Sequence, residues 1–393
     1  MEDRPLCLQF DASLGEVNRM NTVSKSKPRK IRVGIIGASP DRGWAADAHI
    51  PALKSLSNDF EITALSTSRR ESADAASKLF GVPAAFDNHR ELVNRDDVDV
   101  VAITVKVPHH LELATAAIEA GKAVYCEWPL GNGLAEAQTL AALAGKKGVL
   151  AVVGLQARAA PSVAYVRELI KQGYVGEVLS TSLIGSGYGW GATVPPFNAY
   201  LNDKKNGATM LSIPLGHTVD ALCHCLGEIQ ELTATMTVRR ESFTIDGTGE
   251  RRAMAADDQV AVTGLLEGGA ALSVHYRGGL SRGTNLLWEI NGTEGDLQLT
   301  AAAGHAQMFE MTVRGGRGAQ TALELLPVPE QYRWAPQQGP GLSTNVAQAY
   351  ARFARDYREG TNFCPTFDDA VTRHRMLDAI EKAAETGQRQ TLR

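Results

Sequence analysis

The sequence predicts a doubly wound α/β domain on a parallel sheet, followed by an α+β domain with an open, mostly antiparallel sheet. Three observations carry this. Five short apolar runs between residues 31 and 153 alternate with segments of helical period, the rhythm of βαβ units. The first run ends in a glycine-bearing turn that opens a helix. Beyond Gly154 the strands lengthen and follow one another through turns such as Glu267-Gly-Gly269, which marks antiparallel or mixed pairing.

The elements follow in order. Ile31-Arg-Val-Gly-Ile-Ile-Gly37 reads as a buried parallel strand, and a helix is expected from Trp44 to Leu56. Glu61–Ser66, Asp99–Thr104, Ala123–Glu127 and Val149–Val153 are the next strands. Helices fall between them over Glu71–Phe80, Leu111–Ala120 and Leu134–Lys146. A helix over Val163–Gln172 then leads to strands at Val178–Ile184, Leu232–Arg239, Gln259–Leu266, Ala270–Tyr276, Leu286–Asn291 and Gly295–Thr300. One helix, Ile213–Leu226, interrupts these strands, and Asn345–Tyr357 and Asp368–Glu385 close the chain as helices. The expected units are a tail over 1–30, a dinucleotide-binding domain over 31–155 and an α+β domain over 156–393. The last helices are free to pack back on the first domain.

Composition narrows the function. The 393 residues carry 40 Lys+Arg against 44 Asp+Glu, a net charge of −4, which lacks the basic footprint of a nucleic-acid or anionic-membrane binder. The basic cluster Lys25-Ser-Lys27-Pro-Arg29-Lys30 reads as part of a solvated tail. Five scattered Cys favour a reducing compartment over a disulfide framework, and no apolar run approaches a membrane span. A cytoplasmic protein is expected. Cys223-His224-Cys225 is rejected as a metal site, because adjacent helical positions point in different directions.

The first strand runs into Gly37-Ala-Ser39-Pro-Asp-Arg-Gly43-Trp44. Glycine in such a turn lets backbone approach a pyrophosphate lying at the start of the following helix. Ser39 holds the second glycine position of the usual motif, and Gly43 comes one residue late. The second strand ends Ser66-Thr67-Ser68-Arg69-Arg70, with hydroxyls and two Arg where an NAD site usually has an acid. Arg suits a 2′-phosphate, so NADP(H) is favoured and NAD(H) is the alternative.

Several segments together carry a family resemblance. They are Val33-Gly-Ile-Ile-Gly37, Asp99–Thr104 with His109-His110, Ala120-Gly-Lys-Ala-Val-Tyr-Cys-Glu-Trp-Pro129, Gly154-Leu-Gln-Ala-Arg158, Gly173-Tyr-Val-Gly-Glu177, Gly216-His-Thr-Val-Asp220 and Ile290-Asn-Gly-Thr-Glu-Gly-Asp296. In order and spacing the chain resembles the glucose–fructose oxidoreductase / inositol dehydrogenase (Gfo/Idh/MocA) family over nearly all its length after residue 30. Gly43-Trp-Ala45, Glu127-Trp-Pro129 and Gly216–Asp220 resemble the branch that contains the fungal galactose-pathway repressor, a dinucleotide-binding regulator. The resemblance implies a Rossmann domain and an open-sheet second domain, associating as a homodimer or homotetramer through that sheet. Strands such as Ala270–Tyr276 and Leu286–Asn291 add to this expectation, having more apolar positions than one helix layer covers.

The residue pattern and the resemblance together distribute roles. The cofactor side takes Gly37, Ser39, Gly43, Trp44, Thr67, Ser68, Arg69, Arg70, Thr104, His109, His110, Glu127, Trp128 and Gln156. The substrate side takes Arg158, Tyr188, Trp190 and His217, and catalysis falls to His217 with Asp220 or Lys106. Tyr188 and Trp190 offer rings for stacking, or else anchor a Gly-rich hairpin. His217 is the best titratable group, or else a structural imidazole satisfied by Asp220 one turn on. Two departures weigh on this. The family reads Glu-Lys-Pro where this chain has Glu127-Trp128-Pro129, and an indole has no titratable proton. The family often has Asp four residues before the His, where this chain has Ile213. The leading expectation is an NADP-preferring oxidoreductase acting on a sugar-like or cyclic small molecule. The alternative is a dinucleotide-sensing regulator without turnover.

Overall fold

The computed structural model describes residues 28–336 and 341–392. Most of the expected tail, with Lys25, Lys27 and Cys7, lies outside the described residues. Six parallel strands form the first sheet: β1 (Ile31–Ile36), β2 (Phe60–Ser66), β3 (Ala84–Phe86), β4 (Val100–Ile103), β5 (Ala123–Glu127) and β6 (Ala151–Gly154). Their order is β3-β2-β1-β4-β5-β6, so the chain reverses direction of winding between β1 and β4. Ligands of such sheets bind outside the strands' carboxyl ends at this switch point. The helices are α1 (Ile50–Ser55), α2 (Arg70–Phe80), α3 (His89–Val93), α4 (His110–Glu119) and α5 (Leu134–Lys147). Two elements of this first domain escape the sequence reading. β3 has three half-buried residues with no alternation, and α3 has five residues, started by the Asn88 side chain accepting from the Arg90 amide at 2.9 Å.

The continuous apolar runs are explained by cover on both faces. In β4, Val101 and Ile103 enter one core with Ala114, Ala117 and Leu140, while Val100 and Ala102 enter a second with Val33, Ile35 and Tyr125. That second core is roofed by Val346, Tyr350 and Phe353 of α8 (Ser343–Glu359). Each fully buried Val or Ile contributes about 1.5–3 kcal/mol, so both layers are needed to stabilise the strand. The first domain is thus completed by a helix from near the end of the chain.

After α6 (Pro161–Lys171) come β7 (Val178–Gly187), β8 (Thr193–Val194), α7 (Gly216–Leu226), β9 (Ile229–Thr237), β10 (Ser242–Ile245) and β11 (Arg251–Ala253). β12 (Gln259–Leu266), β13 (Ala271–Gly278), β14 (Leu286–Gly292), β15 (Gly295–Ala301), β16 (Thr312–Arg317) and β17 (Glu324–Leu325) follow, then α9 (Phe367–Thr386) and β18 (Gln390–Thr391). Nine of these strands form one sheet in the order β17-β16-β15-β14-β7-β13-β12-β9-β18, antiparallel throughout except between β7 and β13. One register row, Val262, Val274, Leu183, Trp288 and Leu299, is buried in a core shared with Val166 of α6 and Leu222 of α7. The neighbouring row on the opposite face reads Thr233, Thr263, Ser273, Ser182, Glu289 and Gln298. That row is polar, while Leu287 of β14 and Ile184 of β7 lie half-buried on the same open face in the row beside it.

α9 joins the two sheets, packing on α5 and β6 of the first and on β9 of the second. Thr366 and Asp369 form its capping box. Among the described residues no helix is long and apolar enough to cross a membrane.

Candidate functional site

The turn after β1 has the backbone that a phosphate loop needs. Gly37 has φ of 103°, a region that favours glycine, and a Cβ there would lie 2.7 Å from Val105 Cγ1. Its amide donates to the Ser66 carbonyl at 2.8 Å, and the Thr104 hydroxyl donates to the Ile36 carbonyl at 2.9 Å, pinning the ends of β2 and β4 to β1. Gly43, with φ of 115°, faces open space. Between the turn and α1, Ala45–His49 is a single π-helical turn. Trp44 leads into it, with a buried indole Nε1 that has no partner among the described residues. Open backbone at Gly37–Gly43 and this unspent donor fit a dinucleotide pyrophosphate.

At the end of β2 the two arginines differ. Arg70 is held by Asp74 at 2.6 Å and by the Ala85 carbonyl at 3.0 Å. Arg69 is exposed and makes no side-chain hydrogen bond among the described residues. Thr67 Oγ1 donates to the Arg69 carbonyl at 2.8 Å, while Ser68 is exposed. Sequence alone did not separate the pair. A 2′-phosphate would fall to Arg69.

The carboxyl ends of β5 and β6 hold a buried polar chain. Gln156 Nε2 and His49 Nε2 both donate to Glu127 Oε1, at 2.6 and 2.8 Å. With that tautomer His49 Nδ1 accepts from the Tyr350 hydroxyl at 2.8 Å. The Gln156 carbonyl oxygen is buried without a partner among the described residues. His110 is closed to ligands, since its two ring nitrogens face the Pro129 and Val105 carbonyls at 2.8 and 3.0 Å. His109 and Lys106 are exposed at the end of β4, with the Lys106 ammonium 4.5 Å over the Tyr200 ring from the second domain.

Trp128 is buried rather than presented to a ligand. Its indole N–H donates to the Ser212 carbonyl at 2.7 Å, and its ring lies 4.7 Å from that of His374 and tight against Gly216. The ring is a plug beneath the start of α7, not a donor in the cleft.

The second-domain candidates separate into two groups. Asp220 and Arg158 bind each other: the guanidinium donates twice to the carboxylate, at 2.8 and 2.7 Å, and Arg373 Nε adds a third bond at 3.2 Å. Arg158 also reaches Asp369 at 2.9 Å, and Arg373 reaches Glu228 at 2.8 Å. Burial alone would raise the Asp220 carboxyl, but the Arg158 and Arg373 charges bring it below the ordinary range. These two residues, expected to serve catalysis and substrate, sit inside a buried ion network, and no hydrogen bond joins Asp220 to His217.

His217 opens α7 just after the π-helical turn Leu211–Leu215, is 3% exposed, and has a buried Nδ1 without a partner among the described residues. Burial pushes its pKa down to about 3 against a partial upward pull from Asp220. Beside it is a residue the sequence reading missed. His305 is 2% exposed and has no partner at either ring nitrogen among the described residues. The two are brought together because the Ala306 amide donates to Thr218 Oγ1 at 3.4 Å and the Gly304 amide to the Ser186 carbonyl at 3.0 Å. Trp190 stacks on His305 with ring centroids 6.2 Å apart and spends its N–H on the Leu201 carbonyl, so its face is occupied. Tyr188, 38% exposed, lies 5.4 Å from the His305 ring and is the aromatic open to a ligand. His305 lies in a segment without period or motif, which left no signal to find it by.

Comparison with known proteins agrees with this geometry. Residues 31–155 match the oxidoreductase family with NAD-binding Rossmann fold (GFO_IDH_MocA), and residues 161–301 match the C-terminal domain of Gal80p. The chain is 32% identical over 378 residues to the dehydrogenase aclE of Aspergillus oryzae, covering 92% of this chain and 98% of that protein. It is 29% identical over 314 residues to the galactose/lactose metabolism regulatory protein GAL80 of Saccharomyces cerevisiae, covering 75% and 72%. The crystal structure of a super-repressor mutant of Gal80p from Saccharomyces cerevisiae superposes with a TM-score of 0.83 at 24% identity, covering 92% and 98%. The chain therefore belongs to the Gfo/Idh/MocA family of oxidoreductases with an NAD-binding Rossmann fold, in the branch whose second domain is of the Gal80p kind.

Proposed function

We propose that this protein is a nicotinamide-dinucleotide-dependent dehydrogenase that prefers NADP(H) and acts on a sugar-like or other cyclic small molecule. The observation that carries the reading is His217, a buried imidazole with an Nδ1 that has no partner among the described residues, on the helix whose start packs against Trp128 just beyond β5. When bound, the nicotinamide supplies or receives the hydride. The loop from Gly37 to Gly43 holds the pyrophosphate and Arg69 the 2′-phosphate. Burial holds His217 neutral near pH 7, so its free ring nitrogen is available to hydrogen-bond and orient the substrate oxygen. Lys106 and Asp220 fall behind His217, because one is held over Tyr200 and the other is locked to two arginines. The similarity to a dehydrogenase over nearly the whole chain supports turnover.

A second reading is favoured by one observation, the loss of a titratable group at Trp128. It makes the protein a dinucleotide-sensing regulator, as the similarity to GAL80 suggests. The two are separated by loading the protein with NADP or NADPH and following the nicotinamide absorbance band across a panel of polyols, sugars and cyclic ketones. A change with one substrate, lost in His217→Ala by about 10²–10⁴-fold, supports the enzyme. Tight dinucleotide binding with no change across the panel supports the regulator. We further propose a cytoplasmic homodimer or homotetramer, which light scattering at micromolar concentration tests.

A further inference from the structure

The carboxyl end of β5 holds a carboxylate whose charge the chain leaves unmet. The Glu127 side chain is 9% exposed, and among the described residues no Lys or Arg nitrogen comes within 4.0 Å of it. The side chain that follows is Trp128, whose one polar atom is committed to the Ser212 carbonyl. The partner of Glu127 is His49, and Tyr350 is satisfied only by the neutral form of that ring. In that form His49 Nε2–H donates to Glu127 Oε1 and Nδ1 accepts from the Tyr350 hydroxyl, both at 2.8 Å. A charged ring would donate at both nitrogens. The hydroxyl hydrogen of the fully buried Tyr350 would then have no acceptor among the described residues. Glu127 Oε2 makes no hydrogen bond among the described residues and is not sealed from solvent. Gln156 adds a second open acceptor. Its Nε2 is committed to Glu127 Oε1 at 2.6 Å, which fixes the amide and leaves the buried Oε1 without a partner among the described residues.

A nearly buried carboxylate is costly unless a cation meets it, so this pocket is built to receive positive charge from outside the chain. Strand order decides which end of a dinucleotide arrives there. The pyrophosphate belongs at the turn after β1 and the adenosine ribose at the end of β2, so the nicotinamide extends the other way, over β4 and β5. We propose that Glu127 sets the redox poise of the bound dinucleotide: it holds the oxidised, cationic nicotinamide more tightly than the reduced, neutral one. Gln156 Oε1 is an acceptor suited to the carboxamide N–H of the same ring. The two redox forms differ by one positive charge on the ring. At an effective dielectric of about 20, a unit charge a few ångströms away changes affinity by about tenfold or more. A tenfold preference lowers the potential of the bound two-electron couple by about 30 mV, so the bound reduced form is the stronger hydride donor. This deepens the dinucleotide-dependent reading and rests on it, but binding is measurable without turnover.

The test titrates the full-length protein by calorimetry with the oxidised and reduced forms of NADP and of NAD. ADP-ribose and its 2′-phosphate serve as probes that keep the adenosine and pyrophosphate and lack the nicotinamide. The unmodified protein is expected to bind the oxidised form at least as tightly as the reduced one. Glu127→Gln keeps an oxygen for His49 and Gln156 and removes the charge. It is expected to shift the ratio of the two affinities about tenfold or more towards the reduced form, with the affinity of the ring-free probes unchanged. An unchanged ratio in that variant overturns the proposal, and so does an equal loss of the ring-free probes, which would mark a distorted domain. A reduced form bound about tenfold more tightly by the unmodified protein overturns it as well, and this measurement decides alone if the variant does not fold. If folded protein binds none of the dinucleotides, the dinucleotide-dependent reading falls and takes the proposal with it. Tight binding with an unchanged ratio removes the proposal alone.

Discussion

Acid should unfold this protein well before its carboxylates are protonated. His217 and His305 have pKa values pushed down to about 3 and His374 to about 4, chiefly by burial. In the unfolded chain the same rings titrate near 6.5. Between the two values the unfolded state binds more protons, so stability is full above about pH 7 and falls as pH drops through 6.5 toward 4. Each ring costs about 1.4 kcal/mol per pH unit below 6.5, so at about pH 5.5 the three together remove roughly 4 kcal/mol. Against a total of about 5–15 kcal/mol, that loss is large. Asp220 and Asp99 titrate below this window, the latter at about 2 beneath Arg32, and do not offset it. Urea unfolding by circular dichroism at about pH 7.5 and 5.5 should show the drop, and His374→Gln should shrink it by about 1.4 kcal/mol. Equal stability at the two pH values, within about 1 kcal/mol, would show that the rings are not buried and neutral as described.

The other predictions concern single side chains. Arg69→Ala should abolish the preference for NADP(H) over NAD(H), whereas Arg70→Ala, which breaks an exposed pair with Asp74, should leave most of it; dinucleotide titrations decide. Asp220→Asn leaves Arg158 and Arg373 with only Asp369 and Glu228 as charged partners and should cost about 3 kcal/mol by denaturant unfolding. Trp128→Lys, which restores the family's residue type, should destabilise by about 3 kcal/mol or more without creating activity, because the ammonium enters a sealed apolar space. A gain of alcohol oxidation in that variant would refute the plug assignment.

Much of this architecture is legible in the chain. The strands of the first sheet show as apolar runs because both of their faces are covered, and β12 to β15 show as alternation because one face is. β3 and α3 are too short to have a period. The site divides in the same way. Gly37 and Gly43 are visible because backbone geometry demands glycine there, and His217 because it lies in a motif. The fate of Arg158 and Asp220 is hidden, since their partners Arg373 and Asp369 come from α9, far along the chain. His305 is hidden because what distinguishes it is the absence of partners, which no local sequence pattern encodes.

The roof that α8 lays over the first sheet has a consequence for how the molecule is made. Val33, Ile35, Val100 and Ala102 find Tyr350 and Phe353 only after the ribosome has released eight of the nine strands of the second sheet. During synthesis the nascent first domain has one finished face and one bare apolar face, and its completion waits on contacts of very long range in the chain. A fragment ending near residue 155 would be left in that state, prone to aggregate. The same dependence couples the two sheets in unfolding, since peeling away α8 and α9 strips cover from both at once and makes the molecule one cooperative unit.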